Sequence, residues 1–287
     1  MIGPVVGVLF DGLAYGMLLF LLSVGLSVTL GTLGFVNLAH GSFAMLGGYV
    51  VVTLVQSFRW SFLAALPVAF LAGAVASAGL ERALYRRLYR ASELDQCLLT
   101  IGIAFMSVAA AAYLYGPTQQ QVETPAWLRG SVTLLGMRFG AYRLFLIGTA
   151  LGLTLVLVGL LESTRFGIAV RAAVDNPRMA RAIGIDVDRA FAVTFAMGGG
   201  LAALGGALAV DMVGLDPAFP FTYLTYVLIV VSVGGLGSIG GSFAAAMLLG
   251  VSDVAGKYYL PGLGAFLIYL VMVGLLMWRP AGLFGRR

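Results

Sequence analysis

Gly12–Phe58 reads GLAYGMLLFLLSVGLSVTLGTLGFVNLAHGSFAMLGGYVVVTLVQSF, 47 residues without one Asp, Glu, Lys or Arg. A hydrocarbon core takes about 20 residues of helix per crossing, so this stretch is long enough for two. Water cannot solvate such a run, and in lipid only a structure that satisfies its own backbone is stable. The reading is therefore helical and membrane-embedded.

The same pattern continues outward from this stretch. Further charge-free windows run Trp60–Leu80, Gln96–Val122, Leu144–Leu161, Ala190–Val210, Pro217–Ser252 and Tyr258–Trp278. The chain is 61% hydrophobic and 10% charged, far below the roughly 25% charge of soluble domains. No segment has the composition of a soluble domain, so residues 1–287 read as one transmembrane domain. The window Pro217–Ser252 is too long for one straight span and short for two, and its middle, Gly234–Gly241 (GGLGSIGG), should break a helix. The expected fold is all-α, a polytopic helical bundle of eight or nine spanning segments with glycine-broken helices. The first apolar segment lacks a basic flank and carries Asp11, so it reads as a retained helix rather than a signal peptide.

Arginine placement orients the bundle. Arg82, Arg86, Arg87 and Arg90 form one group, Arg165, Arg171, Arg178, Arg181 and Arg189 a second, and Arg279, Arg286 and Arg287 the tail; together they are 12 of the 17 basic residues. The positive-inside rule puts all three groups in the cytoplasm. Counting back places the amino terminus outside and favours nine crossings over eight. Arg59, Arg129, Arg138, Arg143 and Lys257 fall on the other side, where Gly116–Tyr142 reads as a connector on the membrane surface.

Two features interrupt the spans. Gly41-Ser42-Phe43-Ala44 recurs as Gly241-Ser242-Phe243-Ala244, each after a glycine-rich break. Irregular backbone at membrane depth survives only inside protein or along a cavity, and transporters build substrate sites from such breaks. Asn37, His40, Gly41, Ser42, Gly237 and Ser238 are accordingly candidates for a substrate pathway or gate. His40 is the only histidine; on a helix it would share a face with Asn37. The competing role for both is to hydrogen-bond the broken backbone around Gly31–Gly34. One histidine without Cys, Asp or Glu beside it is a poor metal site, and no metal site is expected. Asp11, Asp211, Asp216 and Asp253 fall near predicted span ends, where capping and headgroup anchoring compete with contacts to an arriving ligand.

The second interruption is the connection 162–189, too long for a bare helix–helix linker. Its centre reads VRAAVDNPRMARAIGIDVDRA. Asp175 or Asn176 suits a helix cap, Pro177 the first helical position and Gly184 a left-handed stop. The spacing predicts a short helix over Pro177–Ile183, with Met179, Ala180 and Ile183 as an apolar strip and Arg178 and Arg181 as charges. Such a helix suits docking to another protein, or contact with anionic lipid.

The segments LGFVNLAHGSFAMLGGYV (Leu33–Val50), RAAVDNPRMARAIGIDVDR (Arg171–Arg189) and VGGLGSIGGSFAAAMLLGV (Val233–Val251) resemble permease subunits of the high-affinity branched-chain amino acid ABC transporters. Asn37 to Gly41 is a characteristic element of that family, and the likeness runs in order over essentially the whole chain. The resemblance implies a multi-pass protein of the bacterial inner membrane that pairs with a second homologous permease. It implies two cytoplasmic ATP-binding subunits, a periplasmic substrate-binding protein and surrounding lipid as partners, and no nucleic acid. It also makes 162–189 the coupling loop that engages the ATPase, through Arg171, Ala172, Ala173, Asp175, Asn176, Pro177, Arg178, Met179, Arg181 and Gly184. Arg171 stands where such loops usually carry Glu.

No phosphate loop is present, and the sole lysine, Lys257, falls in an external turn, so the chain reads as neither an enzyme nor a cofactor-binding protein. Three functions compete. An ATP-driven importer of branched-chain amino acids, or of urea or short amides through a related permease, fits best. An ion-driven carrier would place acidic groups inside the spans, where few stand. An intramembrane enzyme would need a nucleophile–base pair or paired carboxylates, which the sequence lacks.

Overall fold

The computed structural model describes residues 2–35, 37–89, 91–134 and 137–285; Arg90, Arg286 and Arg287 of the basic groups lie outside them. In chain order the helices are α1 (Ile2–Leu33), α2 (His40–Gln56), α3 (Phe62–Leu80), continued by a π-helical turn (Glu81–Tyr85) into α4 (Arg86–Leu88), and α5 (Glu93–Tyr115). A short α6 (Ala126–Arg129) and an antiparallel hairpin, β1 (Ser131–Leu134) and β2 (Met137–Gly140), precede α7 (Ala141–Ser163). Then come α8 (Arg165–Asp175), α9 (Pro177–Ala182), α10 (Val187–Val213), α11 (Phe219–Gly234), α12 (Ile239–Tyr259) and α13 (Gly264–Trp278).

Six of these helices, α1, α3 with its extension, α5, α7, α10 and α12, are long and apolar enough to cross a membrane. Three more, α2, α11 and α13, have 17, 16 and 15 residues, about 22–26 Å at roughly 1.5 Å per residue, shorter than a hydrocarbon core. The all-helical bundle is as the sequence predicts, and the helices shorter than a span are those that flank the glycine breaks or close the chain.

α10 forms the centre and is mostly buried, whereas α5 and α7 are mostly exposed. Its neighbours approach through glycine. Gly198 lies against Gly25 of α1, Gly206 against Ala44 of α2, and Gly199 against Gly73 and Ser77 of α3. A methyl group at any of these positions would overlap backbone or side-chain atoms. Small residues supply the contact that the hydrophobic effect cannot supply between helices in lipid. The outer helices instead present Leu98, Phe105, Met106, Leu155 and Val156 outward.

The ends of the bundle are chemically distinct. α1 and α12 run antiparallel, with Gly12 beside Val251, Gly16 beside Gly250 and Gly31 beside Gly237. The segment after α13 folds under the α11–α12 break, where Leu283 and Phe284 donate backbone N–H bonds to the Val233 and Gly234 carbonyls. The segment up to Gly285 therefore lies at the Gly31 end of α1, opposite the start of that helix. Arg86, Arg181 and Arg189 gather at this same end, together with Asp186 and Asp188. At the opposite end the connector after α5 is more ordered than expected: Phe139 of β2 packs on Phe10 at 4.6 Å, and Arg143 pairs with Asp11 at 2.5 Å.

Candidate functional site

α1 stops because Gly34 takes a left-handed backbone, φ 61°. The chain then turns back along α1, and α2 begins beside the middle of that helix. The anchor is His40, 2% exposed, whose Nε2 lies 3.0 Å from the Leu22 carbonyl oxygen. Asn37 does not share a helix face with His40, because it sits in the loop before α2. Its Oδ1 accepts the Ala39 N–H at 3.1 Å and the Tyr85 hydroxyl at 3.4 Å. The π-helical turn widens the helix after α3 by one residue, and such insertions re-aim side chains; here it buries Tyr85 against Phe35 and Phe195, at 5.0 and 5.3 Å between rings. Asn37 thus holds the loop backbone at Ala39, while His40 bonds a carbonyl inside the intact α1 at Leu22, and neither bonds the Gly31–Gly34 turn.

The second break is built differently. α11 ends at Gly234, Gly235 and Gly237 take φ 96° and 78°, and Ser238 caps α12 by accepting the Gly241 N–H at 3.0 Å. Gly237 packs on Gly31, nine residues along α1 from Leu22, about 14 Å away by helix rise. The structure therefore separates the pathway candidates into two groups, with Gly237 and Ser238 at the arginine-rich end and His40, Gly41 and Ser42 deeper. Gly41 meets Pro220 at the start of α11, and Ser42 accepts the Ser107 hydroxyl of α5 at 2.7 Å.

At the arginine-rich end, 162–189 holds two helices where the sequence predicts one. Thr164 caps α8 by accepting the Gly167 N–H at 3.2 Å. Asn176 ends α8 and caps α9, accepting the Met179 N–H at 3.0 Å, with Pro177 in the first turn. Gly184 ends the pair at φ 87°. The predicted strip divides: Ala180 is buried with Ala173 and Val187, while Met179 and Ile183 are 60% and 69% exposed. Arg178 is also exposed, as are Asp175 and Arg171. Arg171 bonds the Leu161 carbonyl at the end of α7, and Ala172 packs with Ala173. Arg181 turns inward to Asp188 at 2.9 Å, and Asp188 also pairs with Arg86 beyond α3. Beside this network Tyr89 donates to the buried Glu81 at 2.8 Å; burial and that bond push its hydroxyl above the ordinary tyrosine value.

α8 has an apolar side toward α7 and α10, so its 3.6-residue spacing was available to reading, but its arginines conceal it. Of the four aspartates placed near span ends, Asp253 is buried at 2% exposure with Lys257 Nζ 2.6 Å from one oxygen. No cluster of three metal-ligating side chains occurs among the described residues.

Comparisons with known proteins match this chain by its sequence. The family described as "Branched-chain amino acid transport system / permease component" matches residues 8–276. The probable branched-chain amino acid transport permease protein LivH of Methanocaldococcus jannaschii is 29% identical, over 97% of this chain and 92% of its own. The permease protein BraD of Pseudomonas aeruginosa is 26% identical, over 97% and 95%, and LivM of Escherichia coli K12 is 24% identical, over 93% and 68%. No solved structure matches. The chain is a multi-pass membrane protein and belongs to the branched-chain amino acid transport permease family.

Proposed function

We propose that this chain is the membrane-spanning permease subunit of an ATP-driven importer for branched-chain amino acids, in the bacterial inner membrane. The observation that carries the reading is the capped protrusion 164–184 in a chain matched by this family over 8–276. α9 offers Arg178, Met179 and Ile183 to a partner while Ala180 and Ala173 anchor it to the bundle. A helix held rigidly on its inner side and exposed on its outer side transmits displacement from a docked subunit to α10 and α7. In this reading the arginine-rich end faces the cytoplasm, and two ATP-binding subunits dock there. A second homologous permease completes the pathway, and a periplasmic binding protein delivers substrate to the opposite end.

The pathway itself is lined by small and apolar residues around Gly41 and Ser42, which suits a small zwitterion with an aliphatic side chain. The relatives named for branched-chain amino acids support the choice of cargo. The test is ATP hydrolysis by the assembled complex in proteoliposomes, with its binding protein and with leucine, isoleucine or valine. Stimulation by these amino acids and not by urea is expected. Stimulation by urea or a short amide alone overturns the cargo, and uptake by this polypeptide without ATPase subunits overturns the mechanism.

A further inference from the structure

Asp253 sits in the last third of α12, at the end of the bundle opposite the arginines, and is 2% exposed. Its Oδ1 has no hydrogen-bond partner, and its Oδ2 receives the Lys257 ammonium at 2.6 Å. Lys257 is one helical turn further on; its side chain is 54% exposed and its ammonium lies 5.7 Å from the centre of the Tyr15 ring.

An exposed i,i+4 ion pair is worth about 0.3–0.5 kcal/mol, too little to repay burying a carboxylate, which costs several kcal/mol. Here half of the carboxylate's hydrogen-bonding capacity is also left empty. Carboxylate oxygens beside tyrosine faces form a site for a cation, and a primary ammonium has the three donors that such a site satisfies. Lys257 supplies one from a flexible stem at a helix end, where it can swing out to water or headgroups.

We propose that Asp253, with the Tyr15 ring over the cation it holds, is a binding site for the α-ammonium group of the incoming amino acid, and that Lys257 is its resident, displaceable cation. Substrate enters by exchanging its ammonium for that of Lys257. This rests on the amino-acid importer reading above and names the group recognised at its outer mouth.

The two members of the ion pair then have opposite effects on binding, which a merely structural pair does not produce. The experiment is calorimetric titration of the assembled complex, without binding protein or nucleotide, using 3-methylbutan-1-amine as cation and 3-methylbutanoate as the anionic counterpart. Lys257→Gln should tighten amine binding by about tenfold and Asp253→Asn should weaken it by at least as much, a difference of about 1.4 kcal/mol each way. The anion should not bind. Weakened or unchanged amine affinity in Lys257→Gln overturns the proposal even if Asp253→Asn does not fold, as does anion binding equal to amine binding. Amino-acid-stimulated ATP hydrolysis without amine binding removes this site alone. Amine binding without such stimulation removes the importer reading and leaves the site.

Discussion

The tetrapeptide Gly-Ser-Phe-Ala opens α2 at Gly41 and α12 at Gly241, and the two copies bracket α11. Gly41 meets Pro220 at the start of that helix, and Gly241 meets Gly234 at its end. In each, glycine admits a backbone and serine makes a hydroxyl pair with another helix: Ser42 with Ser107 at 2.7 Å and Ser242 with Ser27 at 2.9 Å. What precedes them differs. The α12 start is self-contained, capped by Ser238 and shaped by Gly235 and Gly237. The α2 start has no side-chain cap and is assembled from a distance, by His40 on α1 and by Asn37 beneath Tyr85. The same four residues thus begin a local turn in one place and a tertiary assembly in the other.

The largest expected effects come from the shared glycine. Gly241→Val and Gly41→Val each force a side chain into backbone at an end of α11, and overpacking costs about 1–3 kcal/mol. Both should lower the unfolding midpoint of the detergent-solubilised complex. Gly241→Val should lower it further, because the tail also packs on that break. A midpoint unchanged in either variant would break the equivalence of the two copies.

The caps sharpen the difference. His40→Ala removes a buried ring and its bond to Leu22, at about 2–3 kcal/mol. Ser238→Ala removes one cap, at about 1 kcal/mol. Hydrogen exchange should show the His40 change spreading into α1 and the region of Tyr85, and the Ser238 change confined to the first turn of α12. The reverse pattern would contradict the division into assembled and local breaks.

The serine pairs should matter least, at about 0.6 kcal/mol for a hydrogen bond between membrane helices. Ser27→Ala, at a fully buried pair, should exceed Ser107→Ala, whose pair is partly exposed. Equal midpoints would show that packing alone holds both seams.

The contrast also explains what was legible in the sequence. The Gly234–Gly241 break and the α9 stop were readable, because Gly235, Gly237, Ser238, Asn176, Pro177 and Gly184 act on their own neighbours. The helical class followed from where charge is missing. The tether of His40 to Leu22 was not readable, since 18 residues separate the partners and no local rule links them. The placement of Asn37 off the helix depends on Tyr85, which only the π-helical turn brings inward. Met179 and Ala180 share a sequence strip but face opposite ways, because Ala173 and Val187 claim the smaller side chain. Local signals predicted local structure; α8 is the local element they missed, and the other misses lie where a distant element decides.

The central claim, that 164–184 docks the ATPase and drives the bundle, is tested most directly at Gly184. Its φ of 87° suits a β-branched residue poorly, at about 1–3 kcal/mol of strain. Gly184→Val should leave the subunit inserted and the complex assembled. Uptake in proteoliposomes should fall at least about tenfold while ATP hydrolysis persists, and Gly184→Asn, which tolerates left-handed backbone, should restore the link. Wild-type uptake by Gly184→Val would contradict the docking role of this segment.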